Sequence, residues 1–377
     1  MNLDIRSEKR PNNKDDLIEI LLENRNISDI DSFLNPIHPA EYIKTNEHFS
    51  KLVDRHVKKA IKLIFKAIKE NVPIIIHGDY DVDGQSATAI LWRTLHDDLE
   101  YKNILPYIPN RFNEGYGLSK DSIEGIIAKV SAKFRGRPLI VTVDCGIVSI
   151  DEVEYAKQSG FDVIITDHHT PGDKLPDANA IVHTTHATGA GIAWIISNSL
   201  LTEWEAFRGI LKNIPQTERR GRFEKAPGKP SNNKYLELAA MGTICDLQPL
   251  TGFNRSIAKF GLIEINKNPS TGVSTLKKAS DITGEIDTYH VGWRIGPRLN
   301  ASGRLETAMD SLRLLCTNSE TQATNLAKKL NDLNTSRQDT TQENLSLAIS
   351  EMDGLSDIPN FIITYSETYH EGVIGLV

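Results

Sequence analysis

Cysteine is scarce in this chain of 377 residues, with Cys145, Cys245 and Cys316 the full set. Three thiols cannot build a disulfide framework, and their spacing matches no zinc-ligand pattern, so a reducing compartment fits best. Cys145 and Cys245 adjoin Asp144 and Asp246 and read as small buried fillers rather than reactive thiols. Long apolar runs are missing as well. No stretch approaches the roughly eighteen apolar residues of a membrane span, and the opening MNLDIRSEKRPNNK has no apolar segment of signal-peptide type. The expectation is a cytoplasmic protein with no membrane partner. An excess of positive charge is also lacking, because the formal net charge is −7, which argues against a nonspecific nucleic-acid coat. The total hides one exception: residues 205–234 hold eight Lys/Arg against three Asp/Glu in a Pro-, Gly- and Asn-rich run. That segment reads either as a solvated insertion or as a surface that touches a polyanion.

What is present is ordinary globular material, 39% hydrophobic and 25% charged, with length enough for two domains. Residues 14–35 read as short helical elements, and 1–50 as an N-terminal helical segment. From Phe49 to Glu70 apolar residues recur at helical spacing between lysines, and Asn71-Val72-Pro73 stops the helix. Short, branched, apolar runs then follow at Ile74–His77, Ile104–Ile108, Leu139–Val143, Val163–Thr166 and Ala180–Val182. They lack clean alternation, as parallel strands buried on both faces do. Helices expected from near Ser86, at 120–133 and at 149–159 separate them, so 51–250 reads as a wound α/β domain carrying the basic insertion 205–234. Residues 251–352 read as a helical region ending in a linking helix over 318–352. NFIITYSETYHEGVIGLV then opens as a strand, so 353–377 reads as the start of a second, incomplete α/β domain.

Ligands of such sheets gather outside the carboxyl ends of the strands. Asp79, Asp81 and Asp83 fall at one such end in HGDYDVDG, Asp144 at another in VTVDCG, and Asp167-His168-His169 at a third. His77 leads into the first, and Asp246 follows in GTICDLQPL. Carboxylates and imidazoles with few thiols suit hard or borderline ions such as Mn²⁺ or Mg²⁺, and the histidines tilt the choice toward manganese. So many carboxylates together would hold one another protonated unless cations compensated them. Taken singly, DxDG also occurs in ordinary turns, His168 could be a satisfied core histidine, and Asp144 could cap a helix through Ser149 or its own loop amides. Three strand ends finishing in acid make coincidence the weaker reading.

These motifs resemble a known family. GDYDVDG, VTVDCG, ITDHH and GTICDLQPL resemble the successive motifs of the DHH phosphoesterase superfamily, while IPNRFNEGYGL, IGPRLNASGRLETA and YHEGVIGLV are similar to those of its RecJ branch of single-strand-specific exonucleases. The resemblance runs in order from about residue 45 to the last residue. It implies a parallel-sheet DHH domain with a helical connection to a second, truncated α/β domain of DHHA1-like type. It also implies two Mn²⁺ or Mg²⁺ ions, 5′-to-3′ degradation of single-stranded DNA to mononucleotides, roles in recombination and repair, and possible partners in a single-strand-binding protein and a RecQ-type helicase.

Carried over by position, the resemblance makes Asp81, Asp83, Asp144, His168 and Asp246 metal ligands with Asp144 the bridge, and adds His77 from related phosphatases. Asp79 is either a further ligand or a loop-orienting residue. His169 is placed to contact the phosphate or assist the leaving oxygen. In RLNASGR, read as a compact polar turn before a helix, Arg298, Asn300, Ser302 and Arg304 suit a phosphate clamp, with a surface ion-pair cluster as the alternative. Arg304 is the first choice for a substrate contact, and Arg111 and Tyr116 match a substrate-side stretch where the ring stacks on a base or simply packs. Gln85 and Glu371 stand where the family more often has an apolar or small residue and Gln, and Gln85 reads as remote from the chemistry.

Two ions roughly 3.5–4 Å apart can activate water and hold a scissile phosphate for in-line attack. The same metal set would serve a phosphodiesterase for short oligonucleotides or cyclic dinucleotides, or a pyrophosphatase. A catalytically idle scaffold is a further class, but such proteins lose acidic ligands and this chain has every one.

Overall fold

Five short apolar runs become five strands: β1 Ile74–Gly78, β2 Ile104–Tyr107, β3 Leu139–Val143, β4 Asp162–Asp167 and β5 Ala180–His183. The computed structural model describes residues 9–130, 136–212, 231–352 and 360–377. All four pairings are parallel and the strand order is β2-β1-β3-β4-β5. Every residue of β1 and β3 is buried, which explains why these strands show no polar alternation. Winding reverses between β1 and β3, so the crevice beyond their carboxyl ends is where such a sheet offers a ligand site.

Helices cover both faces. On one face the Lys58–Glu70 helix buries Ile61, Ile64, Phe65 and Ile68 beneath Ile74 and Ile76. Losing one of those isoleucine side chains to Ala would cost about 2–5 kcal/mol. Asn71 ends that helix in the left-handed conformation (φ 52°), a role its short polar side chain tolerates. On the other face Ile75, Tyr107 and Ile140 meet Ile123 and Ile126 of the Lys120–Lys129 helix.

The Val82–Arg93 helix starts four residues earlier than expected, because Asp81 caps it by accepting the Gly84 N–H at 3.0 Å. Its partners are the Gly189–Lys212 and Leu236–Cys245 helices. The remainder is helical and includes Gly296–Leu305 and the long Glu320–Met352 helix, close to the linking helix the sequence predicts. Most of the basic insertion, 213–230, lies outside the described residues, as does 353–359 of the expected second domain. Residues 360–377 form turns and a short 3-10 helix, Ile374–Leu376, instead of the expected strand. A strand needs a neighbour to receive its hydrogen bonds, and among the described residues none pairs with this segment.

Candidate metal centre

The acidic loop is shaped by contact rather than by chance. After β1, Asp79 and Tyr80 turn into the 82–93 helix, and a Cβ at Gly84 would sit 2.7 Å from the Asp79 backbone nitrogen. Asp83, in the first helical turn and buried, accepts the Gly189 N–H at 2.6 Å and the Ala190 N–H at 2.9 Å. The start of the 189–212 helix thus fixes this carboxylate while leaving it facing inward. Asp144 lies just past β3 with φ 62°, a left-handed conformation rare for a non-glycine residue. Its side chain fills the space where a Cβ on Gly189 would come within 2.5 Å.

His168 supplies the point of convergence. Its Nε2 lies 3.0 Å from an Asp144 oxygen, 3.7 Å from Asp83 and 3.9 Å from Asp246, while Nδ1 is 3.4 Å from the Gln248 amide. Yet His168 Nε2, Asp144 Oδ1, Asp246 Oδ2 and Asp79 Oδ1 are buried without a hydrogen-bond partner. Buried polar atoms are almost always satisfied, so the convergence of these four acidic and imidazole atoms on one crevice fits a cation held among them. Three sets have ligand atoms within 4.8 Å of one another: Asp79, Asp81 and Asp144; Asp83, His168 and Asp246; and Asp144, His168 and His169. The donors fit two divalent cations sharing Asp144, with Asp79 and Asp81 on one side and Asp83, His168 and Asp246 on the other.

Electrostatics agree. Burial, then Asp246 and Asp81, push Asp83 up to about 8, and burial with Asp81 does the same to Asp79. Asp144 is held well above the usual carboxylate range by burial and Asp83, and Asp246 rises to about 6 through burial and Asp81. Burial lowers His168 to about 4, leaving its imidazole neutral and able to ligate at pH 7. Such carboxylates ionise together only beside compensating positive charge.

Asp167 plays a different part. It accepts the N–H groups of Ile147 at 2.8 Å, His168 at 2.7 Å and His169 at 3.1 Å, and takes a fourth bond at 2.8 Å from His169 Nδ1. Burial favours its protonation, but the bonds from His169 and the Ile147 amide prevail and lower its pKa. Asp167 in turn raises that of His169, whose Nε2 faces the cleft 3.5 Å from the Tyr116 hydroxyl.

Several expected site residues lie elsewhere. His77 does not join the carboxylates: its Nε2 is 3.1 Å from the Ser122 hydroxyl, its Nδ1 3.8 Å from Cys145 Sγ, and its ring stacks on Tyr107. Position 77 is still inside β1, and strand alternation turns it toward the 120–129 helix, below the rim. RLNASGR is helix, not turn, and its side chains therefore diverge. Arg298 donates to Asn331 at 3.0 Å and to the Arg294 carbonyl at 2.6 Å, tying helices together rather than facing the crevice. Ser302 is fully buried, with its hydroxyl 3.0 Å from the Leu299 carbonyl and 2.8 Å from Ser311, so it is no phosphate contact. Asn300 accepts the Val82 N–H at 3.1 Å and braces the acidic loop.

Arg304 does stay by the site. Burial and the nearby Arg111 charge lower its pKa, Arg111 lies over the Tyr80 ring at 4.8 Å, and Tyr80 meets Tyr116 edge-on at 5.9 Å. Arg111 and Arg304 thus lie together beside the acidic groups, whereas Arg298 lies apart, tied to Asn331. The last described segment closes this side, as Arg304 donates to the Gly372 carbonyl at 3.2 Å and His370 meets Phe112 edge-on.

Comparison with known proteins decides the family. Residues 73–243 match the model of the DHH family, N-terminal domain. A crystal structure of exonuclease RecJ bound to manganese is 32% identical, superposes with a TM-score of 0.70, and is covered over 76% of its chain by 85% of this one. The chain belongs to the RecJ family. RecJ of Thermus thermophilus in complex with Mn²⁺ superposes with a TM-score of 0.65 at 30% identity, over 85% of this chain and 43% of that one. The single-stranded-DNA-specific exonuclease RecJ of Bacillus subtilis is 36% identical over 334 residues, 85% of this chain and 38% of its own length. The chain spans between 38% and 55% of the length of the curated relatives it matches.

Sequence reasoning underrated several residues of this RecJ-family chain. Asp79 groups directly with Asp81 and Asp144, and Asp167 orients His169. Gln85, read as remote from the chemistry, is fully buried and donates to the Tyr80 carbonyl at 2.6 Å and to Leu299 at 3.3 Å, joining the acidic loop to the 296–305 helix. Gly189 and its neighbour supply the amides that hold Asp83. Only the small-residue run TGAG before an apolar helix pattern signals it in the sequence.

Proposed function

We propose that this chain hydrolyses phosphodiester bonds of single-stranded DNA as a metal-dependent 5′-to-3′ exonuclease, releasing 5′-mononucleotides. The observation that carries the reading is the convergence of unpartnered Asp79, Asp144, Asp246 and His168 atoms beyond β1 and β3. The single-strand substrate is supported by RecJ relatives named for that specificity, and the polarity by the family resemblance. Mn²⁺ or Mg²⁺ as the ions is supported by the donor set and by RecJ structures in complex with each. Work in DNA recombination and repair in the cytoplasm, beside a single-strand-binding protein and a RecQ-type helicase, belongs to the same reading. Among the described residues no helix is long and apolar enough to cross a membrane.

Bound between the two ligand sets, divalent ions would supply Lewis acidity toward the phosphate and acidify water. The protein does the rest. Arg304 and Arg111 seat a phosphate, with the Tyr80 ring positioning the Arg111 guanidinium. His169, with Nδ1 bonded to Asp167 and Nε2 toward the cleft, is built to carry a proton on Nε2 and deliver it to the departing oxygen. Tyr116, exposed beside it, offers a ring to a base.

The test is a time course in Mn²⁺ with single-stranded DNA labelled at either end, for the wild type and Asp144→Ala. Mononucleotide released first from the 5′ end, and absent with the variant, supports the proposal. Persistence of long strands while dinucleotides are cleaved would replace it with a short-oligonucleotide phosphodiesterase.

A further inference from the structure

The last ligand of the metal centre leaves the end of a helix, and the chain turns there in an unusual way. The Leu236–Cys245 helix closes with the Asp246 N–H on the Gly242 carbonyl at 2.9 Å, and Leu247 follows in the left-handed conformation, φ 60°. Glycine commonly takes that place after a helix, and a leucine is rare in it. Leu247 is 85% exposed, so the turn does not serve its side chain. What the turn does is bring the next residue back over the site: Gln248 is half-buried, with its amide nitrogen 3.4 Å from His168 Nδ1. Pro249 disfavours helical backbone at Gln248, and the Pro249 carbonyl is held in turn by the Thr251 N–H at 2.9 Å and the Asn254 amide at 3.4 Å. The same Gln248 amide bonds Asp246: burial and Asp81 raise the pKa of that carboxyl, and the amide works against them.

A neutral imidazole carries one proton. For His168 to hold an ion through Nε2, which faces Asp83, Asp144 and Asp246, that proton has to sit on Nδ1, and an Nδ1–H needs an acceptor. Among the described residues Gln248 is the one hydrogen-bond partner of His168 Nδ1. Its amide nitrogen cannot accept, but a half-turn of the amide puts the oxygen in nearly the same place.

We infer that Gln248 is a positioning residue of the metal centre: its amide oxygen accepts the His168 Nδ1 proton and fixes the tautomer whose Nε2 is free to take a divalent ion. This inference rests on the metal-dependent reading and deepens it by giving one ligand its outer partner. Gln248 acts through His168, so its effect on ion binding disappears when that imidazole is gone.

The experiment measures Mn²⁺ affinity, by electron paramagnetic resonance of the free ion, for the 377-residue chain and four variants: Gln248→Met, Gln248→Glu, His168→Ala, and Gln248→Met combined with His168→Ala. Each is first checked for retained folding by circular dichroism. Gln248→Met keeps the length of the side chain and removes its oxygen, and is expected to weaken Mn²⁺ binding about tenfold. Gln248→Glu, which keeps an acceptor, is expected within about threefold of the wild type or tighter. With His168 already replaced, Gln248→Met is expected to cost less than about threefold further. Should Gln248→Met fail to fold, Gln248→Asn, one methylene shorter and out of reach of Nδ1, takes its place in the cycle. Unchanged affinity in Gln248→Met overturns the inference, as does an equal loss with and without His168, which would make Gln248 a support of the loop alone. Loss of affinity in Gln248→Glu as large as in Gln248→Met overturns it too. A wild type that binds no Mn²⁺ would sink the metal-dependent reading and this role with it, whereas the expected cycle without cleavage of any strand would sink the exonuclease reading alone.

Discussion

GDYDVDG and RLNASGR look alike as sequence, each a short polar run with charged groups around a glycine, yet the fold treats them differently. The first hangs beyond a buried parallel strand at the sheet's switch point, where side chains have no layer to pack into and must converge on the crevice. The second is helical, so successive side chains point about 100° apart: Asn300 braces the loop, Ser302 enters the core, and Arg298 ties the 320–352 helix. A polar motif at a strand end gathers its residues, whereas the same composition on a helix distributes them.

The strongest way to break this comparison is to remove the shared carboxylate. Asp144→Ala is expected to lower Mn²⁺-dependent cleavage by more than about 100-fold, measured as kcat/KM on single-stranded DNA, since supporting groups alone cost 10–100-fold at such sites. Its melting temperature at neutral pH without metal should rise, because a buried carboxyl whose raised pKa favours the unfolded, ionised chain is gone.

Acidity gives a second handle. Asp79 and Asp83 have folded pKa values near 8 against an ordinary 3.8, so between those limits the metal-free folded state holds protons that the unfolded chain has lost. Stability in EDTA should therefore be greatest near pH 4 and fall progressively as pH rises toward 8. Stabilisation by Mn²⁺ should grow over the same window, because binding needs the ionised carboxylates. Calorimetric melting at pH 5, 6.5 and 8, with and without Mn²⁺, checks this, and a metal-free melting point that climbs with pH would refute it.

Within RLNASGR the two arginines should separate. Arg304→Ala is expected to lower kcat/KM by about 10–100-fold, by loss of a charge-assisted phosphate contact, while Arg298→Ala stays within about twofold and loses about 1–2 kcal/mol of stability instead. Equal activity losses in steady-state kinetics would mean that the helix presents both to DNA. Asp167→Asn should cost about tenfold and shift the alkaline limb of the pH profile to lower pH, because Asp167 raises the His169 pKa. The smallest effect belongs to His77→Ala, whose Mn²⁺ affinity by titration calorimetry should change by less than about threefold.

Much of this was legible beforehand because parallel strands announce themselves. The runs at β1, β3 and β4 are mostly branched and apolar, so the acids beyond them stand out, and Asp81, Asp83, Asp144 and His168 could be marked from the sequence. His77 was misread because a ligand and a satisfied core histidine differ only by one residue of strand register. Asp79 and Asp167 share a rim and a residue type, and only hydrogen-bond partners separate a carboxylate left bare from one saturated by amides. Arg111 and Arg304 are far apart in the chain, so no spacing rule could pair them. The expected strand at 360–365 failed for the related reason that pairing is not local.

The most direct test of the central claim is anomalous scattering at the manganese edge from crystals of the protein grown with Mn²⁺. Two peaks are predicted, one among Asp79, Asp81 and Asp144 and the other among Asp83, Asp144, His168 and Asp246. A single peak, or manganese ligated by His77 with the convergent carboxylates left bare, would contradict the account.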